Sequence, residues 1–242
     1  MSPFAAIHRD GHPLELDSAR VDALRASLRG TLIGVSDAGY HEARAIWNGM
    51  IDRKPALIAR CIGTADIVAC VNFARETGIA FSMKGGGHNI AGLAVAEGGL
   101  MIDCSQMRGA WVDTKNRVAH AQPGCTLGDV DRETQVHGLA AVLGFVSLTG
   151  GVGLTLGGGF GYTSKRFGYT SDNVRSMTLV TADGKLVRAS DTENADLFWG
   201  LRGGGGNFGV VTDIEFELFA LGPEIVGGGV AWPAEQAPEV FA

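Results

Sequence analysis

Glycine in this chain falls into three dense blocks, and they restrict what the remaining residues can build. The first is Lys84-Gly85-Gly86-Gly87-His88-Asn89, the second packs seven glycines into the thirteen residues Thr149 to Gly161, and the third is Gly203 to Gly206. With 37 glycines in 242 residues, usage is roughly twice the ordinary level of about 7%. The blocks have no fixed period, so collagen-like and low-complexity readings fail. Glycine adds no side chain and costs chain entropy, so it is kept where backbone must turn sharply or be approached closely. The pattern predicts a large ligand lying against the main chain.

The rest of the composition narrows the partners. Apolar residues make up 45% of the chain, enough for one large domain or two packed subdomains. A net charge of -6, with basic residues scattered among acidic ones, offers no stripe for a phosphate backbone, so no nucleic-acid partner is expected. No run of about 18 apolar residues is present, which argues against a membrane partner. Met1 to Pro13 holds His, Arg and Asp where a signal peptide needs an apolar stretch, and a cytoplasmic location is expected. Cys61, Cys70, Cys104 and Cys125 form no CxxC pair and read as buried free thiols.

Local signals place the blocks between regular elements. Asp17 to Leu28 predicts a short helix. Ala56 to Cys61 reads as a buried strand, Thr64 as the cap of a helix running to Thr77 with Gly78 as its stop, and Ile79 to Met83 as the next strand. This order is a βαβ unit with a right-handed crossover. Leu100 to Cys104 predicts another strand. Trp111 to Val112 pairs with Val118 to Ala121, after which Thr126 caps a helix ending at Gly138. For Thr149 to Gly161 no ordinary helix or strand is expected. Met177 to Thr181 and Lys185 to Ala189 read as a hairpin, Glu193 to Leu201 as a helix and Gly209 to Leu218 as a strand. Trp199 and Trp232 read as core or interface.

Two standard nucleotide fingerprints are missing. GxxxxGK[ST] is absent, and no GxGxxG opens a helix directly after the first strand. What remains is the first block itself, where three glycines can turn consecutive amide N–H groups to one side, a nest that binds anions such as a pyrophosphate. His88 lies inside that block. It reads either as a turn histidine bonded to backbone or as an imidazole held beside the captured anion, where the neutral ring is a nucleophile near pH 7. His8, His12 and His41 show no metal spacing, His137 reads as a surface or capping residue, and no metal site is expected.

The residues Lys84-Gly-Gly-Gly-His88-Asn-Ile-Ala-Gly92, Gln122-Pro123-Gly124, Val146-Ser-Leu-Thr149-Gly150, Gly153 to Gly161, Ser171-Asp172-Asn173 and Asn207 to Val211 together resemble the berberine bridge enzyme-like FAD-linked oxidases, a group within the vanillyl-alcohol-oxidase superfamily. The resemblance runs roughly from Lys54 to Pro223. It implies an α+β fold, a two-subdomain FAD-binding domain of the PCMH type, with a βαβ unit beside a mixed or antiparallel sheet with helices and FAD between them. It further implies that amides of Gly85 to Asn89 hold the FAD pyrophosphate and that His88 bonds the flavin 8α-carbon. Lys84, Gly92, Pro123, Gly124, Thr149, Gly150, Gly153, Leu154, Gly157, Gly158, Gly161 and Val211 are implied to line or border the cofactor. Lys84 stands where relatives usually carry arginine, which keeps a cation beside the pyrophosphate but loses bidentate contact.

Some relatives attach flavin a second time, through a cysteine about ten residues before the triple glycine. Val146 occupies that position here, so one covalent bond is expected. The implied reaction is oxidation of a C–OH or C–N group of a small-molecule substrate, with dioxygen as acceptor. The expected division is an N-terminal helical or irregular extension over 1–53, the FAD-binding domain over 54–223, and the start of a truncated substrate domain over 224–242. The catalytic base is expected outside these residues. Two alternatives stay open: a reductase or dehydrogenase of the same fold, and a non-catalytic FAD-binding module.

Overall fold

The first described elements form a hairpin. Strands β1 (Phe4–Ile7) and β2 (Pro13–Leu16) pair antiparallel, and helix α1 (Ser18–Ser27) follows, capped by Asp17, whose carboxylate accepts from the Ala19 N–H. The computed structural model describes residues 4–224, 226 and 228–242; residues 1–3 of the expected N-terminal extension, and 225 and 227 of the expected C-terminal segment, lie outside them. Next come β3 (Thr31–Gly34), the single turn α2 (Tyr40–Ala43), β4 (Leu57–Arg60), α3 (Thr64–Thr77), β5 (Phe81–Lys84) and β6 (Leu100–Asp103).

These strands form a four-stranded sheet in the order β3-β4-β6-β5. The expected βαβ unit is present, but its two strands do not touch: β6 lies between them, parallel to both. Leu57, Ile58, Leu100, Met101 and Ile102 are wholly buried, as strands covered on both faces require. The β1 hairpin is tied to the segments that lead into β5 and β6, where Ala80 N–H donates to Ile7 O at 2.9 Å and Ile7 N–H to Gly98 O at 2.8 Å.

Helix α3 starts differently from expectation. Its cap is Gly63, and Thr64 is already helical and makes no capping bond. The task falls to Asp66, buried to 1% exposure, whose carboxylate accepts from Ile62 N–H at 2.9 Å, Arg29 N–H at 2.9 Å and Gly30 N–H at 3.2 Å. One side chain thus fastens the helix start to the turn before β3. Asp66→Ala leaves three donors unpaired and is expected to cost about 3 kcal/mol of stability, read as a shift of the urea unfolding midpoint without a change of slope.

The second sheet is antiparallel, in the order β11-β10-β12-β8-β7. It takes β7 (Ala110–Asp113), β8 (Val118–Ala121), β10 (Val174–Val180), β11 (Leu186–Ser190) and β12 (Val210–Glu217), with α4 (Leu127–Gln135), a short pair β9 (Leu139–Ala140) and β13 (Phe219–Ala220), α5 (Gly151–Leu156), α6 (Ser164–Phe167), α7 (Ala195–Leu201) and a terminal turn α8 (Ala237–Val240). Met177, Leu179, Ile214, Phe198 and Leu201 form its buried core. Helix α4 follows its sequence signals: Thr126 and Asp129 cap each other's amides, and Leu127, Val130 and Thr134 face inward. Trp199 and Trp232 are not core residues, at 78% and 52% exposure. On α7 the buried pair Phe198 and Leu201 sits three residues apart, which turns Trp199 outward.

The second glycine block is a correction. Residues Gly151–Leu156 form a helix, although glycine disfavours one. Val152, Thr155 and Leu156 bury one face, and the Thr155 hydroxyl donates to Gly151 O at 2.7 Å. Burial of that face outweighs propensity. No helix among the described residues is long and apolar enough to cross a membrane.

Candidate cofactor-binding site

The first glycine block leaves the end of β5 as a turn, and its shape is fixed by backbone packed on backbone. A Cβ on Gly86 would lie 2.4 Å from Gly150 N, and one on Gly85 would lie 2.5 Å from Pro123 O. The reverse holds for Gly150, whose Cβ would meet Gly86 N at 2.6 Å. Gly124 is seated likewise, 2.3 Å from Cys104 O, and Gly161 against Leu143 O. Gly87 (φ +71°) and Gly92 (φ +72°) adopt the left-handed conformation that favours glycine. Gly205 of the third block donates its N–H to Leu156 O at 2.8 Å, at the end of α5. The three blocks, distant in sequence, meet in one region between the two sheets.

The amides of this region are largely unspent. Among the described residues, those of Gly85, Gly86, Gly87, His88 and Asn89 donate to no protein acceptor, and the same holds for Gly150, Val152 and Gly153. Backbone donors are ordinarily paired when folded, so a run of five free N–H groups is a surface prepared for an anion. Beyond it, Gly153 and Gly158 face open space, with nothing within 4 Å of where a Cβ would stand. Leu154 is half-buried beside them. A broad ligand can lie against main chain here, so the residues fit a dinucleotide.

Lys84 is not directed at solvent. Its ammonium donates to Ala43 O at 3.0 Å and lies 3.8 Å from the carboxylate of Asp103, which is fully buried and also flanked by Arg60 at 3.7 Å. Its charge therefore serves the base of the turn. Val211 is buried in the core of the second sheet, in the same cluster as Val152 and Leu156 of α5. Thr149 carries its amide to Val146 O and accepts from Leu127 N–H, which fixes the lead into α5. Asp172 and Asn173 act as structural turn residues: Asp172 accepts from Tyr169 N–H, and Asn173 donates to Phe167 O and Tyr169 O.

His88 is partly exposed, and among the described residues its ring nitrogens have no hydrogen-bond partner. It instead stacks on Trp47, ring centres 5.3 Å apart and planes at 21°. Trp47 belongs to a stretch that sequence reasoning passed over. Trp47 N–H donates to Gly87 O, Asn48 to Ile90 O, and Arg53 to Gly92 O and Val95 O, while Ile51 packs over Gly92. Asn48-Gly49, with Asn48 Oδ1 accepting from Met50 N–H, is a turn signal beside a tryptophan that could have drawn notice. Phe145, Phe160 and Tyr162 also form an exposed edge-to-face group.

The four cysteines are buried free thiols. Cys125 donates to Gly109 O at 3.2 Å, and burial pushes its thiol up to about 11; burial raises Cys104, and hydrogen bonding to Cys70 followed by burial raises Cys61. Buried thiols with raised pKa are inert. Two ligand-capable clusters do assemble, His8 with Asp10 and His12, and His120 with Asp213 and Glu215, but neither contains a residue of the glycine blocks.

The profile of a family described as FAD binding domain matches residues 55–190. The (R)-6-hydroxynicotine oxidase of Paenarthrobacter nicotinovorans is 38% identical over 206 residues, covering 85% of this chain and 45% of that protein. The crystal structure of 6-hydroxy-D-nicotine oxidase from Arthrobacter nicotinovorans matches with a TM-score of 0.78 at 39% identity, over 80% of this chain and 43% of that one. Glucooligosaccharide oxidase from Acremonium strictum, described with a 6-S-cysteinyl, 8α-N1-histidyl FAD, matches with a TM-score of 0.76 at 36% identity, over 83% of this chain and 42% of that one. The chain spans about half the length of the curated relatives it matches.

Proposed function

The chain belongs to the FAD binding domain family, and from that premise we propose that it binds FAD between its two sheets, holds it by one bond from His88, and serves a berberine bridge enzyme-like oxidase. The observation that carries this reading is the run of five unpaired amides from Gly85 to Asn89, seated on Gly150 and Pro123. Those N–H groups take the pyrophosphate, where a neutral donor array stabilises two negative charges without a buried cation. Gly153, Gly157 and Gly158 present bare backbone, so that the flat part of the cofactor reaches the main chain of α5 and the turn after it. Pro123, Gly124, Thr149, Leu154 and Gly161 shape the walls, and Lys84 with Gly92 braces the turn from behind.

When bound, FAD supplies hydride acceptance from a C–OH or C–N group and passes the electron pair to dioxygen. The protein's part is position. His88 supplies an imidazole nitrogen beside the nest. A single attachment is supported by Val146, which stands where a second cysteine is implied, and by the Cys125 thiol, which is turned to Gly109 O.

Acid precipitation followed by denaturing electrophoresis tests this. A protein band with flavin fluorescence before staining is the expected result, with the flavin peptide containing His88. A dark band above a yellow supernatant would remove the covalent bond and keep the binding; colour in neither fraction would remove both. Fast aerobic reoxidation of the photoreduced protein is the matching test of dioxygen as acceptor.

A further inference from the structure

We propose that Trp47 is the positioning residue for the attachment of flavin to His88. The inference rests on His88 as the attachment point, and deepens that reading by naming what aims the ring. Three observations carry it. The imidazole has no hydrogen-bond partner among the described residues, so nothing polar sets its rotamer. Among the described residues, its one ring neighbour is the indole of Trp47, 5.3 Å away and nearly parallel at 21°. The backbone that carries the indole is anchored at the same spot, because the main-chain amide of Trp47 donates to Gly87 O at 3.1 Å and Ile46 packs on Gly87. Trp47 is 62% exposed, which hydrophobic burial does not explain.

The chemistry gives the stack a role. Attachment replaces one hydrogen of the 8α-methyl carbon and the N–H hydrogen of the imidazole by a carbon–nitrogen bond. The two protons and two electrons released reduce dioxygen to hydrogen peroxide. While the new bond forms, the imidazole still carries its proton and bears positive charge. An indole face attracts such a charge, and a ring already held in one orientation loses less freedom on the way to the bond. Trp47 thus acts through His88 and does not need to touch the reacting carbon.

Protein from riboflavin-starved cells, mixed with FAD under air, gives the test: acid-stable flavin is followed in time, and acid-releasable FAD is titrated separately. Trp47→Ala is expected to slow acid-stable labelling about tenfold, with FAD affinity within about twofold of the parent. Trp47→Phe keeps a ring face and should stay within about threefold of the parent rate, while Trp47→Leu, apolar but without a ring face, should be as slow as alanine. Equal rates in all variants would overturn the proposal, as would a leucine variant as fast as phenylalanine. Loss of FAD affinity in the phenylalanine, leucine and alanine variants alike would assign Trp47 to folding and also overturn it. His88→Ala separates the two levels: acid-stable flavin persisting in that variant refutes His88 itself, whereas a dark His88→Ala band beside unaltered Trp47 variants refutes Trp47 alone.

Discussion

Replacing Gly86 with alanine is expected to empty the protein of flavin. The added Cβ would stand 2.4 Å from Gly150 N, 2.6 Å from Gly150 Cα and 3.3 Å from the Thr149 carbonyl carbon. All three atoms are backbone, so no rotamer change relieves the overlap; the turn and the lead into α5 must part. Separation misplaces the five free amides relative to the rest of the cleft, and overpacking of this kind costs about 3 kcal/mol. The ratio of flavin to protein absorbance should fall below detection, and the thermal midpoint should drop with it. Gly153→Ala gives the contrast, since nothing lies within 4 Å of its Cβ. That variant should keep the parent midpoint and still lose flavin, because the methyl group occupies the space where cofactor meets backbone. A Gly86→Ala protein that loads flavin normally would sink the placement of the nest.

Replacing His88 with alanine has the second large effect, on chemistry and not on shape. All flavin should move from the precipitated protein to the acid supernatant, a change from complete to zero acid-stable label. Among the described residues the ring has no hydrogen-bond partner, and its neighbour Trp47 is already largely exposed, so stability should change by less than about 1 kcal/mol. Reversible binding should persist, because the amides of Gly85 to Asn89 belong to the main chain. Fluorescence that stays with the denatured His88→Ala chain would place the bond elsewhere.

Where signals were local, the sequence was legible. Thr126 and Gly138 announce both ends of α4, since a cap and a left-handed glycine act within a few residues of the helix they bound. The glycine blocks announced close backbone approach, and the structure shows what they approach: Gly86 meets Gly150, and Gly205 meets the end of α5. Which block meets which was not legible, because hydrophobic pattern carries no pairing information between distant segments. The same limit hid β6 between β4 and β5. Helix α5 was missed because glycine content argues against a helix locally, while the burial of Val152 and Leu156 is a tertiary matter. Trp47 was missed for the related reason that its partner lies in another element, and a lone tryptophan reads as core until its neighbours are known. Gly63 takes the cap position in place of Thr64, and the carboxylate of Asp66, in the first turn of the helix itself, holds the helix start.

The contact between Gly86 and Gly150 also sets an order in time. Strands β4 and β5 are joined only through β6, and the turn after β5 is seated only once Gly150 has arrived. A chain emerging amino end first therefore completes its parallel sheet before any cleft exists. On the proposed placement of FAD, cofactor binding depends on the contact between the turn after β5 and the lead into α5. Loop-closure entropy for so distant a contact is spent before the ligand repays it, so the open, undocked chain is the species that must find its cofactor or close without it.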